Sequence, residues 1–245
     1  MTPSNTSQSV QTDPLNIGIV LFDNATLTDF SGPWDVFKRL PNATTFLIAH
    51  DLEPMTASGM PVAPTMTWDQ LAQDSITLDV ICVPGGAGHI RAMEDEILLG
   101  HLQRHAETAA YVTAVCTGSL ILAAAGLLDG YRATTHWMSL SRLEQFGVIA
   151  DPSRVVIDRT RVTGGGVTAA IDFALTLAAE LRGEDIAKSI QLGMEYAPAP
   201  PFADGHPDTA DPETVKTVKA QYAGGYVQKS AEVDARVLGK IKQKA

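Results

Sequence analysis

Four short runs in this chain are apolar almost from end to end: Leu15–Phe22, Thr44–Ala49, Leu78–Val83 and Tyr111–Val115. A strand with one wet face alternates polar and apolar residues. These runs do not alternate, so both faces of each need cover. Helical patterns fill the intervals. One starts at about Gly32-Pro33, where a proline suits a first turn, and runs to Leu40. Another spans about 94 to 108. Strand and helix in alternation predict an α/β chain with a mostly parallel sheet covered on both faces. Ligands of such sheets bind at the carboxyl ends of the strands. Three turn-forming segments fall at such ends: the polar turn after Phe22, Pro84-Gly85-Gly86, and Cys116-Thr117.

The third of these carries the most chemistry. Tyr111–Val115 ends on Cys116, small residues follow, and Leu120–Leu128 is rich in Ala and Leu. That reads as strand, sharp turn and helix with a cysteine at the corner, the architecture of a nucleophile elbow. A helix N-terminus beside the sulfur would favour thiolate near neutral pH. The plainer reading is a small buried hydrophobe, the commonest fate of cysteine. Cys82, in the middle of an apolar run, fits only the plainer reading. Asp29, in Thr26–Pro33, could be an ordinary helix-entry aspartate. Its place just past the first strand also points it at the sheet end where Cys116 lies. A carboxyl there could pass a proton to or from a thiol. Gly85 and Gly86 could be a simple tight turn, or could offer amides to a developing charge.

Composition closes off several classes. Hydrophobic residues make up 45% of the 245 and charged residues 19%, too apolar for a disordered chain. A net charge of −10 argues against a nucleic-acid partner. Two cysteines offer no disulfide framework and fit a reducing cytoplasm. No run reaches the length of a membrane span. Residues 1–14 lack signal-peptide character and read as a disordered leader. His101 and His105 have the i,i+4 spacing of some metal ligands, but no third ligand accompanies them, so an exposed helix face is expected. Gly164–Gly166 lacks a dinucleotide or phosphate-loop signature.

The rest of the chain adds elements. Residues 58–68 suggest a hairpin or edge strand, and Arg132–Trp137 a short strand containing His136. Val155–Asp158 with Arg161–Thr163 suggests a hairpin. Ala169–Leu181 and about 184–196 read as helices, the latter stopped by Pro198-Ala199-Pro200-Pro201. The stretch after Asp211 reads as a peripheral helix, frayed at its end. His50, His89 and His206 form no constellation.

Asp29–Pro33, Asp79–Gly86, Tyr111–Ser119, Arg132–Trp137, Thr163–Gly166, Ile171–Leu181 and Glu195–Phe202 together resemble the PfpI/ThiJ superfamily. That superfamily shares its core with class I glutamine amidotransferases. The Asp29 position and the Glu195–Phe202 block resemble its isonitrile hydratase branch. The resemblance covers about Leu15 to Pro212. It implies a three-layer sandwich with a flavodoxin-like sheet and a nucleophile elbow. The domain would span 15–212 and be followed by a helical tail, 213–245.

The resemblance also implies roles. Cys116 would be the nucleophile and Asp29 its acid/base partner, with Thr117, Gly86 and Gly85 supporting the elbow. His136, Gly165 and Val167 would stand around them. No metal and no cofactor are implied. The partners would be a small apolar isonitrile, water and a second copy of the chain, with no nucleic acid and no membrane. Peptidase and glutaminase members carry His directly after the cysteine, and here that residue is Thr117. Two other readings stay open: glyoxalase-type chemistry on small dicarbonyls, and a ligand or redox sensor using Cys116.

Overall fold

In a computed structural model, residues 13–244 are described; most of the expected leader lies outside them. The chain begins with β1 (Leu15–Val20), α1 (Leu27–Phe37) and β2 (Ala43–Ala49). A hairpin, β3 (Met55–Ala57) and β4 (Met60–Val62), leads to β5 (Met66–Thr67) and α2 (Trp68–Gln73). Then come β6 (Val80–Val83), α3 (His89–Ala92), α4 (Glu96–Ala106), β7 (Tyr111–Val115) and α5 (Gly118–Ala124). Short pieces follow: β8 (Arg132–Ala133), a 3₁₀ turn (Trp137–Ser139), α6 (Leu140–Glu144) and β9 (Ile149–Ala150). The chain closes with β10 (Val155–Asp158), β11 (Arg161–Gly164), α7 (Ala169–Arg182), α8 (Glu184–Gly193), α9 (Pro212–Tyr222) and α10 (Gly225–Lys244).

Seven strands form one sheet in the order β10-β11-β7-β6-β1-β2-β5. All neighbours are parallel except the β10–β11 hairpin. The alternation of side chains divides the core. Ile17, Ile19, Val80, Cys82 and Val115 pack under α1, α7 and α8. Val20, Ile48, Ile81, Val112 and Ala114 pack under α2, α4 and α5, with α10 laid outside α3 and α5. These are the three layers, and the unbroken apolar runs are their middle. Gly18 lies in β1 where a Cβ would meet Ile48 Cδ1 at 2.6 Å and Leu78 Cδ1 at 2.7 Å. Strand order turns back between β1 and β6, which opens the crevice of a doubly wound sheet at their carboxyl ends.

Three local expectations are corrected. The first helix begins at Leu27, with Thr26 at the N-cap position but making no side-chain cap bond, and not at Gly32-Pro33. Pro33 therefore sits inside it and withholds the donor that the Asp29 carbonyl would ordinarily receive. Arg132–Trp137 is strand only at Arg132–Ala133, and His136 instead caps the 3₁₀ turn. The stretch after Asp211 is two helices. The second is anchored, with Val233 2% and Val237 3% exposed where it packs on α3 and α5. No described helix is long and apolar enough to cross a membrane.

Candidate active site

Cys116 stands at the corner between β7 and α5 with φ of 56°, a left-handed conformation that costs a non-glycine residue strain. The surroundings hold it there. Its amide donates to the carbonyls of Gly164 (3.0 Å) and Gly165 (2.9 Å). Its carbonyl accepts from the Thr135 hydroxyl at 2.7 Å. Ser119, one turn on, donates to the Thr134 carbonyl at 2.7 Å. The Thr134-Thr135 pair and the glycines after β11 thus fix the corner from outside the elbow sequence.

Asp29 reaches the same place from the first turn of α1 and is fully buried. Oδ2 accepts from the Gly85 amide at 2.9 Å. Oδ1 is buried with no partner of good hydrogen-bond geometry. The Cys116 thiol is the side chain that faces this carboxyl, and the two groups interact. Burial pushes the Asp29 carboxyl up to about 7, against the opposing pull of the Gly85 amide and of Cys116. Burial, and next the Asp29 charge, push the Cys116 thiol up to about 12. Amides of Val167 and Thr117 point at the sulfur and pull the other way. α5 is a buried seven-residue helix, and desolvation of the sulfur opposes the pull of its terminus. Near neutral pH the pair shares one proton and titrates as a unit.

The two glycines of the β6 turn are occupied. Gly85 serves Asp29, and the Gly86 amide donates to Thr117 Oγ1 at 3.0 Å. The donors turned towards sulfur are instead those of Thr117 and Val167. Close approach explains Gly85: a Cβ there would lie 2.5 Å from the Thr117 nitrogen and 2.9 Å from the Cys116 Cβ. Val167, with φ of 26°, is a β-branched residue in a region that sterics disfavour.

Gly165, Gly166 and Val167 form one wall of a cavity of about 1030 Å³, with His136, Ile171 and Phe202 among its other walls. His136 lies against Gly166, where an added Cβ would meet its ring at 2.7 Å. Burial lowers the pKa of that imidazole. His101 and His105 do not form an exposed face. Both rings pack on Trp68, His101 stacked at 4.8 Å and His105 tilted at 5.3 Å. Among the described residues no group of three or more His, Cys, Asp or Glu is placed to hold a metal. Thr135 and Ser119 brace the corner, and nothing in their local sequence marks them for it. His89 is unmarked in the sequence, because Arg142, which fixes its tautomer, is 53 residues away.

A family model described as the DJ-1/PfpI family matches residues 16–180. The chain belongs to the DJ-1/PfpI family. It is 48% identical over 93% of its length to an isonitrile hydratase from Pseudomonas putida, of which it covers 98%. Its structure resembles a ThiJ/PfpI family protein from Pseudomonas syringae, with a TM-score of 0.86, 37% identity and 96% of each chain covered. It is also 32% identical, over 75% of this chain and 51% of the relative, to the HTH-type transcriptional regulator GbdR of Pseudomonas aeruginosa.

Proposed function

We propose that this protein hydrates isonitriles to N-substituted formamides. The observation that carries the reading is the buried Asp29–Cys116 pair, with Thr117 where a relay histidine would stand. Its likeness to the P. putida isonitrile hydratase over nearly the whole of both chains supports the substrate class. So does an adjoining cavity whose surface is mostly apolar, Ile171 and Phe202 included, with Arg154 and Asp172 among its polar groups.

The chemistry follows from one shared proton. The terminal carbon of an isonitrile accepts a nucleophile and a proton at the same atom. Cys116 sulfur bonds to that carbon, and the pair's proton goes to it through Asp29, which gives a thioimidate and leaves a carboxylate. Asp29 then takes a proton from water as the water oxygen adds to the carbon, and passes that proton to nitrogen. Asp29 next accepts the hydroxyl proton as the C–S bond breaks. Cys116 leaves as thiolate under the Thr117 and Val167 amides, and the formamide departs. The pair again holds one proton.

Steady turnover of an aryl isonitrile to its formamide, lost in Cys116→Ala, is the result expected. Turnover surviving in that variant contradicts the reading. The likeness to a transcriptional regulator favours a second one, sensing at Cys116. One modification event per chain, with no turnover, is its signature.

A further inference from the structure

We propose that α10 belongs to the framework of the active site: Asp234, through Arg142 and His89, is a positioning residue for the Gly85-Gly86 turn beneath the nucleophile. The turn is used by the hydratase reading above, so the proposal rests on that reading for its meaning.

The connection is continuous. Asp234 is 2% exposed and takes a two-pronged contact from Arg142: Nε to Oδ2 and Nη2 to Oδ1, both 2.8 Å. The third guanidinium edge, Nη1, lies 3.1 Å from His89 Nε2. An arginine can only donate, so Nε2 must accept, and the proton of a neutral ring sits on Nδ1. Nδ1 is 2.8 Å from the Gly86 carbonyl, so the ring donates there. His89 is fully buried, and burial with the nearby Arg142 charge lowers its pKa to about 4. It is thus neutral, of fixed tautomer, and satisfied at both nitrogens. Tyr226 of the same helix lays its ring 6.1 Å from His89 and interacts with Arg142 and Ser230.

The grip falls on a sensitive turn. Gly86 gives its carbonyl to His89 and its amide to Thr117, while the preceding amide goes to Asp29. With φ of 125°, Gly86 has room for no side chain, since a Cβ would strike the Thr26 nitrogen. Asp29 directly, and Cys116 through its neighbour Thr117, are therefore referenced to one turn, and the buried ion pair holds that turn from behind. A bidentate arginine fork conveys direction as well as charge. Removing one partner of such a pair strands the other in low dielectric and loosens what it held. The family match ends at residue 180, so Asp234 lies on an element beyond it.

The test reads Cys116 alkylation by iodoacetamide against pH, followed on the Cys116 peptide by mass spectrometry. It responds whether or not isonitriles are turned over, so failure of the hydratase reading would be seen separately. In Asp234→Asn the Asp29 inflection, near 7 in the parent, should move to higher pH, because the Gly85 amide is the larger of the two contacts that hold that carboxyl down. Formamide production should fall about tenfold or more in kcat with KM little changed, and Asp234→Glu should recover part of it. Arg236→Gln breaks only the exposed α10 contact to Glu94 and should match the parent. Should Asp234→Asn not fold, His89 decides. His89→Gln keeps a donor for Gly86 and an acceptor for Arg142, and should stay near the parent. His89→Leu keeps neither, and should show the shift. An unmoved inflection in folded Asp234→Asn, or equal behaviour of the two His89 variants, overturns the proposal.

Discussion

Asp29 and Cys116 meet in a dry site where burial raises both and the carboxylate charge raises the thiol further. Neither group ionises freely, and together they keep one proton over the range that begins near 7. A reaction that must deliver a nucleophile and a proton to the same carbon needs that stock of charge and no more.

The pair should set the pH dependence. Below about 7 the carboxyl takes up a second proton and cannot relay one. We expect kcat/KM for an isonitrile to fall as pH drops through about 7, by about tenfold for each pH unit well below it. In Asp29→Asn the residual rate should be smaller by about a hundredfold or more and should lack this inflection. A parent profile flat down to about pH 5 would contradict the assignment.

The same carboxyl costs stability. Its folded value of about 7 lies above the ordinary value of 3.8, so between them the folded state binds more protons than the unfolded one. Stability contributed by this site is therefore full at low pH and lost as pH rises towards 7. Asp29→Asn should gain stability in denaturant titrations at about pH 8, at most about 4 kcal/mol, and gain little at about pH 4. An equal effect at both would show that Asp29 titrates normally.

Much of this site could be read from residue order, and the rest could not. The corner at Cys116 was legible because β-branched residues give way abruptly to Thr117, Gly118 and Ser119. The β10–β11 hairpin and α7 were legible from alternation and helical period. Pro33 misled, since its preference for a first turn concealed that Thr26 starts the helix. The burial that opposes the helix terminus at the thiol is a tertiary property, which residue order does not carry. His89 was invisible for the same reason: Arg142 is 53 residues away, and Arg142 and Asp234 are 92 apart.

Close packing at the elbow should make Gly85 intolerant. Gly85→Ala sets a methyl group 2.5 Å from the Thr117 nitrogen and must displace the corner. A loss of about a hundredfold in kcat is expected, as for a shift of about 1 Å in reacting groups. Gly100→Ala, in α4 with nothing within 4 Å of the new Cβ, should keep full activity and gain about 0.5–1 kcal/mol in thermal or denaturant unfolding. Equal activity of the two variants would refute the packing argument.

The two cysteines should separate cleanly. Cys82 is fully buried in β6, and its thiol is pushed up to about 12 chiefly by burial. Cys82→Ala should cost about 1 kcal/mol through a small cavity and leave turnover nearly intact. Loss of catalysis in folded Cys82→Ala would mean that the wrong thiol has been assigned.

The most direct test is multiple turnover of an aryl isonitrile, followed by formamide absorbance, in the parent and in Cys116→Ala. The account predicts many turnovers per chain in the parent and a loss of about a thousandfold or more in the folded variant. Formamide production by Cys116→Ala at the parent's rate, or none by the parent with its thiol reduced, would contradict it.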